Sequence, residues 1–150
     1  MTQGKRTLLG FDYGKRNIGV AVGQEITASA SPLVTLKARD GKPDWMEITQ
    51  LIETWRPDAL VVGIPLHMDG TEQDMTVAAR RFANQLQGRY HLPVINVDER
   101  LTSIEAGHIM RDKDQMTRMG KRNEDATTDQ IAAQLILTQY LNELHNHDHK

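Results

Sequence analysis

The chain has 150 residues, of which 39% are hydrophobic and 25% charged, and it contains no cysteine. This length suffices for one hydrophobic core but not for two, so we expect a single domain over residues 1–150. The lack of cysteine excludes disulfides, thiolate metal sites and cysteine nucleophiles, and the formal net charge of −2 argues against a strongly basic nucleic-acid-binding domain.

The charge is unevenly distributed, which weakens that argument. Residues 1–22 carry four Lys or Arg against one Asp, and residues 100–122 carry six against three acidic residues. These segments could form a basic surface, or they could be ordinary solvated faces. No apolar run near the N-terminus is long enough for a signal peptide or a membrane span, so we expect a cytoplasmic protein with no membrane contact.

The first third of the chain has the pattern of a β-meander. Short apolar runs over residues 6–12 and 17–23 flank the Gly-containing loop 13–16, which predicts a β-hairpin. Residues 32–36 predict a third strand. Apolar residues at helical spacing then predict a helix over residues 44–55.

Strands and helices alternate after this point. The apolar runs 59–64 and 92–97 predict strands buried on both faces of a parallel sheet. Between them, Thr71 and Asp74 resemble a capping box that opens a helix extending to Leu86.

The last third of the chain predicts two helices around a basic loop. The helices cover about residues 102–110 and 128–144, and the loop covers residues 111–125. Three meandering strands followed by alternating units predict an α/β fold of the ribonuclease H-like type. We expect a five-stranded mixed sheet in the order 3-2-1-4-5, flanked by helices.

Three acidic residues fall at the ends of predicted elements. Asp12 ends the first strand, Glu99 follows the strand at 92–97, and Asp129 lies in the first turn of the last helix. If they meet in space, they form a hard-oxygen site suited to Mg²⁺ or Mn²⁺. Each also has a plainer explanation: Asp12 could cap its hairpin, Glu99 could pair with Arg100, and Asp129 could be stabilised by the helix dipole.

Four motifs resemble the YqgF/RuvX family in order and spacing: GFDYGKRNIGVAVG (10–23), VVGIPLHMDGTE (61–72), VDERLTSIEA (97–106) and DQIAAQLIL (129–137). The resemblance implies a ribonuclease H-like nuclease, described both as a Holliday junction resolvase and as the nuclease that trims the 5′ end of precursor 16S rRNA. It implies that Asp12, Glu99 and Asp129 are the catalytic, metal-binding residues. One departure from related resolvases is that residues 62–65 contain no acid, so Glu99 would substitute from the neighbouring strand.

We therefore expect a hydrolase, a metal-dependent endonuclease or other nuclease that hydrolyses phosphodiesters in precursor 16S rRNA, with branched DNA as the alternative substrate. Ribosomal assembly particles are possible partners, and the chain is expected to be a monomer or weak homodimer. The following cations are expected to contact phosphates: Lys15, Arg16, Arg100, Arg118, Lys121 and Arg122.

Two other function classes remain open at this point. An ATPase of the actin and hexokinase type shares this sheet and first hairpin, but such enzymes pair two domains around the nucleotide. A factor that binds nucleic acid without cutting it is the second alternative. Three acids would repel phosphates unless a metal neutralised them, which disfavours a site that only binds.

Overall fold

The computed structural model describes residues 6–67, 69–99 and 127–148. The helix predicted over 102–110 and the basic loop predicted over 111–125 lie outside the described residues. The elements within them are β1 (Thr7–Asp12), β2 (Asn17–Gln24), β3 (Ser29–Arg39), β4 (Lys42–Pro43), α1 (Trp45–Trp55), β5 (Ala59–Ile64), α2 (Asp74–Tyr90), β6 (Val94–Asp98) and α3 (Thr128–Asp148).

The strands form one mixed sheet in the order β4-β3-β2-β1-β5-β6. β1, β2 and β3 are antiparallel neighbours, whereas β5 and β6 run parallel to β1. The predicted order 3-2-1-4-5 is confirmed for the five longer strands. All three parallel strands therefore end at the same edge of the sheet, beside Asp12.

A sixth strand, β4, corrects the predicted strand count of five. Asp40 and Gly41 both have positive φ, 49° and 80°, and this tight turn returns the chain so that Ala38 pairs with Pro43. Two central residues with positive φ define the hairpin turn for which Asp-Gly is favoured. The Asp-Gly pair was a usable signal, but a strand of two residues has no apolar periodicity to predict it.

Helices cover both faces of the sheet. α1 and α2 pack on one face, where buried side chains such as Leu9, Phe11 and Phe82 form a large core. α3 packs on the other face against a smaller cluster that includes Val61 and Leu137. We refer to these surfaces as the α1/α2 face and the α3 face.

Local hydrogen bonds define where the helices begin. The Asp44 carboxylate accepts a hydrogen bond from the backbone N–H of Met46 (3.0 Å), which caps α1. The predicted capping box of Thr71 and Asp74 is wrong, because α2 begins at Asp74 with Gln73 as its cap. The N–H of Gln73 donates to Thr76 Oγ1 (3.0 Å), whereas Thr71 hydrogen-bonds Asp69 in the preceding turn.

Among the helices that the structure describes, none is both long and apolar enough to cross a membrane.

Candidate active site

Asp12 lies at the carboxyl end of β1, in the middle of the sheet. Its register partner in the antiparallel neighbour is Gly19 of β2, and its side chain is half-buried. The groups that act on its carboxyl are Glu99 and Asp129. The structure therefore brings together the three acids that the sequence singled out, from three separate parts of the chain.

Glu99 reaches Asp12 across the intervening strand β5. A Cβ atom built on Gly63 would lie 2.6 Å from Glu99 Oε1 and 3.0 Å from Glu99 Cγ. A side chain at residue 63 would therefore occupy the space that Glu99 uses. The strand position that lacks an acid is also the position that lacks any side chain, which lets the neighbouring glutamate extend over it.

Asp129 lies in the first turn of α3, which rests directly on Gly19. A Cβ atom built on Gly19 would overlap the backbone carbonyl oxygen of Asp129 and lie 3.0 Å from its Cβ. Because Gly19 is paired with Asp12, this close approach places the start of the helix beside the end of β1. Only glycine at this position allows the helix to come so near.

A small hydrogen-bond network ties the same turn to β3. The hydroxyls of Thr35 and Thr127 are 2.7 Å apart, and Gln130 Nε2 donates to Thr35 Oγ1 (3.1 Å). The backbone N–H of Gln130 donates to Thr127 Oγ1 (3.2 Å) and so caps the helix. These positioning residues were missed from the sequence, because nothing local links Thr35 to residues more than ninety positions away.

The carboxyl groups of Asp12 and Glu99 are hydrogen-bonded to each other, which requires a shared proton. Burial, the charge of Glu99 with its hydrogen bond, and the charge of Asp129 together raise the pKa of Asp12 to about 8. The pKa of Glu99 is also raised, chiefly by burial and further by the charge of Asp98. Two carboxyl groups in such close contact form a site that favours a cation.

The acids form a close pair with a third charge nearby rather than a closed cluster. Within residues 6–67, 69–99 and 127–148, no group of three or more Asp, Glu or His side chains is arranged to hold a metal ion. The pair of Asp12 and Glu99 nevertheless supplies the hard oxygen donors that Mg²⁺ and Mn²⁺ bind.

The predicted phosphate-binding cations divide into two groups. Lys15 and Arg16 lie exposed in the loop between β1 and β2, immediately after the strand that ends at Asp12. The remaining predicted cations lie outside the described residues: Arg100, Arg118, Lys121 and Arg122.

Comparison with sequence relatives gives matches over most of the chain. The family model described as "RuvX: Holliday junction resolvase" matches residues 6–143. A Nitrosococcus oceani protein named "Putative pre-16S rRNA nuclease" is 55% identical over 138 residues, covering 92% of this chain and 88% of its own length. A Shewanella denitrificans protein of the same name is 51% identical over 137 residues, covering 90% of this chain and 93% of its own length.

Solved structures with the same fold are resolvases of low sequence identity. Thermus thermophilus RuvC in complex with a Holliday junction substrate has a TM-score of 0.62 at 16% identity, covering 93% of this chain and 96% of that chain. The yeast mitochondrial Holliday junction resolvase Ydc2 has a TM-score of 0.52 at 10% identity, covering 92% of this chain and 78% of that chain. These similarities confirm the ribonuclease H-like fold.

Proposed function

This chain belongs to the RuvX family of nucleases, which hydrolyse phosphodiester bonds, and on that premise we propose that it cuts precursor 16S rRNA with Asp12, Glu99 and Asp129. The substrate follows the names of relatives that share more than half of their residues with this chain over nearly its whole length. We further propose one domain over residues 1–150 that acts in the cytoplasm as a monomer or weak dimer. The partners would be precursor rRNA and the assembly particles that contain it.

The observation that carries this proposal is the contact between the carboxyl groups of Asp12 and Glu99, with Glu99 lying beside Gly63. Two half-buried carboxyl groups in contact are destabilised when both are ionised, unless a positive charge lies between them. A divalent cation, Mg²⁺ or Mn²⁺, fits this donor set and would displace the proton. Asp12 and Glu99 would hold the cation, with Asp129 as the third acid.

Once bound, such a cation lowers the pKa of the attacking water and stabilises charge on the leaving oxygen. The protein itself supplies position and charge. Asp12 is paired with Gly19 of β2, and Phe11 just before it is paired with β5. The first turn of α3 is held by Gly19 and Thr35, so the acids lie on rigid elements. Exposed Lys15 and Arg16 would orient the phosphates that flank the scissile bond.

A branched DNA substrate is the second candidate. The family is described as a Holliday junction resolvase, and the structural neighbours RuvC and Ydc2 are a protein in complex with a Holliday junction substrate and a Holliday junction resolvase. The carboxylate pair and the nearby cations suit any phosphodiester backbone, so the chemistry of the site is common to both substrates.

The test is cleavage by the purified protein with Mn²⁺ of a precursor 16S rRNA 5′ end and of a four-way DNA junction. We expect cleavage of the RNA, loss of cleavage in EDTA, and loss in Asp12→Asn, because the substitution removes ligand charge at the centre of the site. Glu53→Gln, an exposed residue of α1, is the control of equal charge change and should retain activity. Cleavage of DNA alone would select the resolvase, and Asp12→Asn with near-parental cleavage would refute the site.

A second test separates the two adjacent acids. Glu99→Gln should abolish metal-dependent cleavage as Asp12→Asn does, because Glu99 lies over Gly63 in contact with Asp12. Asp98→Asn should mainly lower the free energy of unfolding, by roughly 0.5–2 kcal/mol, because we expect the Asp98 carboxylate to cap the helix predicted over residues 102–110. Cleavage and urea denaturation are measured on both variants. The opposite pattern, with Asp98 essential and Glu99 dispensable, would mean that the wrong ligand was assigned.

A further inference from the structure

The loop between β1 and β2 is joined to the end of β3 and to the turn that follows it by three hydrogen bonds. The Tyr13 hydroxyl donates to the carbonyl oxygen of Gly41, and the N–H of Gly41 donates to the carbonyl oxygen of Lys15 (2.9 Å). The N–H of Ala38 donates to the carbonyl oxygen of Arg16 (2.8 Å). The two connections therefore form one continuous surface at the end of the sheet that carries Asp12.

Five exposed cations lie on this surface, which we call the hairpin platform: Lys15, Arg16, Lys37, Arg39 and Lys42. Strand register places them together. Lys37 is paired with Asn17, the residue after Arg16, and Arg39 is paired directly with Lys42 across the turn. Three of the five, Lys37, Arg39 and Lys42, lie between the strand predicted over residues 32–36 and the helix predicted over residues 44–55, where the sequence predicted no site.

None of the five cations forms an ion pair within the described residues. The two ion pairs found there join Arg6 to Glu25 and Arg80 to Glu72, both away from the platform. Two acids lie near the turn. Asp44 caps α1, and Asp40 occupies the turn itself. Within the part of the chain that the structure describes, neither forms an ion pair with the five cations, which outnumber these two acids.

The platform also lies on the α3 face of the sheet, the face on which the acids meet. Thr35 contacts α3 through Thr127, and side chains two residues apart on a strand share a face, so Lys37 and Arg39 continue the α3 face along β3. Asp12 is paired with Gly19, and Gly19 with Thr35. Two strand spacings, about 10 Å, thus separate β1 from β3.

We propose that the hairpin platform binds the phosphate backbone of the nucleic acid a few nucleotides from the bond cut at Asp12. This inference rests on the proposed nuclease function and extends it to a surface formed by β3 and β4. The contact is to the backbone rather than to bases. The aromatic side chain in this region, Tyr13, packs against Phe82 with ring centroids 5.0 Å apart and donates its hydroxyl to Gly41, so it is not available for base stacking.

The test compares nucleic-acid binding by two triple variants of the full chain that change the net charge equally. Lys37, Arg39 and Lys42 are replaced by Gln in the platform variant, and Arg56, Arg80 and Arg89, which lie on α1 and α2 or at their ends, are replaced by Gln in the control. Binding of the precursor rRNA end and of the four-way junction is measured by fluorescence anisotropy over a salt series. Circular dichroism establishes that both variants are folded.

In the platform variant we expect affinity to fall at least tenfold and the slope of log K against log salt to flatten by roughly 0.7–0.9 per lost contact. The control variant should retain the parental slope. A charge-conserving variant, Lys37→Arg with Arg39→Lys and Lys42→Arg, should retain it as well and keeps the test informative if the Gln variant does not fold.

If the parent cleaves but the platform variant keeps the parental slope of log K against log salt, the platform proposal is wrong and the nuclease proposal stands. An equal loss in the control variant would also overturn it, because the effect would then be one of total charge. A parent that neither binds nor cleaves either substrate would overturn both proposals. A platform variant with normal nucleic-acid binding that loses association with a protein partner would also reject the backbone role.

Discussion

The two faces of the sheet are built from different residues and do different work. On the α1/α2 face, large side chains interlock, and Phe82 contacts the rings of Phe11, Tyr13 and Trp45 at centroid distances of 5.0–5.9 Å. On the α3 face, glycines meet the first turn of the helix and the Glu99 side chain without any side chain of their own. The α1/α2 face therefore supplies most of the stability, and the α3 face leaves the space that the acids need.

This division has a physical reason. Buried aromatic and aliphatic groups contribute stability in proportion to the apolar area that they remove from water. Carboxyl groups brought into contact without a cation cost stability, because both lose hydration and repel each other. A domain that carries such a pair therefore needs an independent source of stability, and the α1/α2 face provides it.

The largest expected effect on stability comes from Phe82→Ala on the α1/α2 face. Removing a ring that three other aromatic side chains contact should lower the free energy of unfolding by about 3–5 kcal/mol. Urea denaturation measures this change. Cleavage per folded molecule should remain close to that of the parent, because no acid of the site touches Phe82. A loss of cleavage without a loss of stability would contradict the division between the faces.

The next expected effect, on the α3 face, is a loss of cleavage rather than a loss of stability. Gly19→Ala places a methyl group against the Asp129 carbonyl, so the first turn of α3 must shift and cleavage should fall about 100-fold. The matched control is Gly88→Ala in α2, where a Cβ meets nothing within 4 Å. That control should leave cleavage unchanged and stabilise the chain by roughly 0.5–1 kcal/mol. Equal cleavage by both variants would show that the close packing at Gly19 is not needed to position Asp129.

The most gradual expected effect is a pH dependence of stability, which originates from the acids. The pKa of Asp12 is raised from 3.8 to about 8 on folding, so its contribution to stability is complete below pH 3.8 and is lost as the pH rises through 8. In EDTA the free energy of unfolding should fall over this range, by at most about 1.4 kcal/mol per pH unit for one proton. The slope of the free energy of unfolding against pH should be smaller in Asp12→Asn.

Urea denaturation at pH 5, 6, 7 and 8 measures this slope, with Glu53→Gln as the control that should keep it. Mn²⁺ should reduce the slope in the parent, because a cation competes with the shared proton. Parallel profiles for the parent and Asp12→Asn would mean that Asp12 titrates normally.

Most of the fold could be predicted from the sequence because its strands are apolar and its turns contain glycine or proline. The strand predicted over residues 59–64 matches β5, and the order of the five longer strands is confirmed. The third strand was predicted too short, because residues 29–39 include polar side chains and Pro32. The predicted start of α2 was wrong because Thr71 bonds locally to Asp69.

The acids could be singled out from the sequence because they terminate predicted elements, but the contacts that hold them together could not. The approach of Asp129 to Gly19 and the bond between Thr35 and Thr127 join residues about one hundred positions apart. Propensity and periodicity act over a few residues and carry no information on such pairs. Glu99 lies against Gly63 because β5 and β6 are neighbouring parallel strands, whereas its role as a metal ligand stays a prediction.

The long strand β3 has a consequence for the behaviour of the protein at high concentration. β4 covers only Ala38 and Arg39, and no other described strand lies along the outer side of β3. An uncovered strand edge can recruit a second chain and lead to aggregation. Pro32 lacks an N–H, and the register shifts at Leu33, so the edge is irregular where it is longest. The same bulge that interrupts pairing with β2 thus protects the protein against edge-to-edge polymerisation.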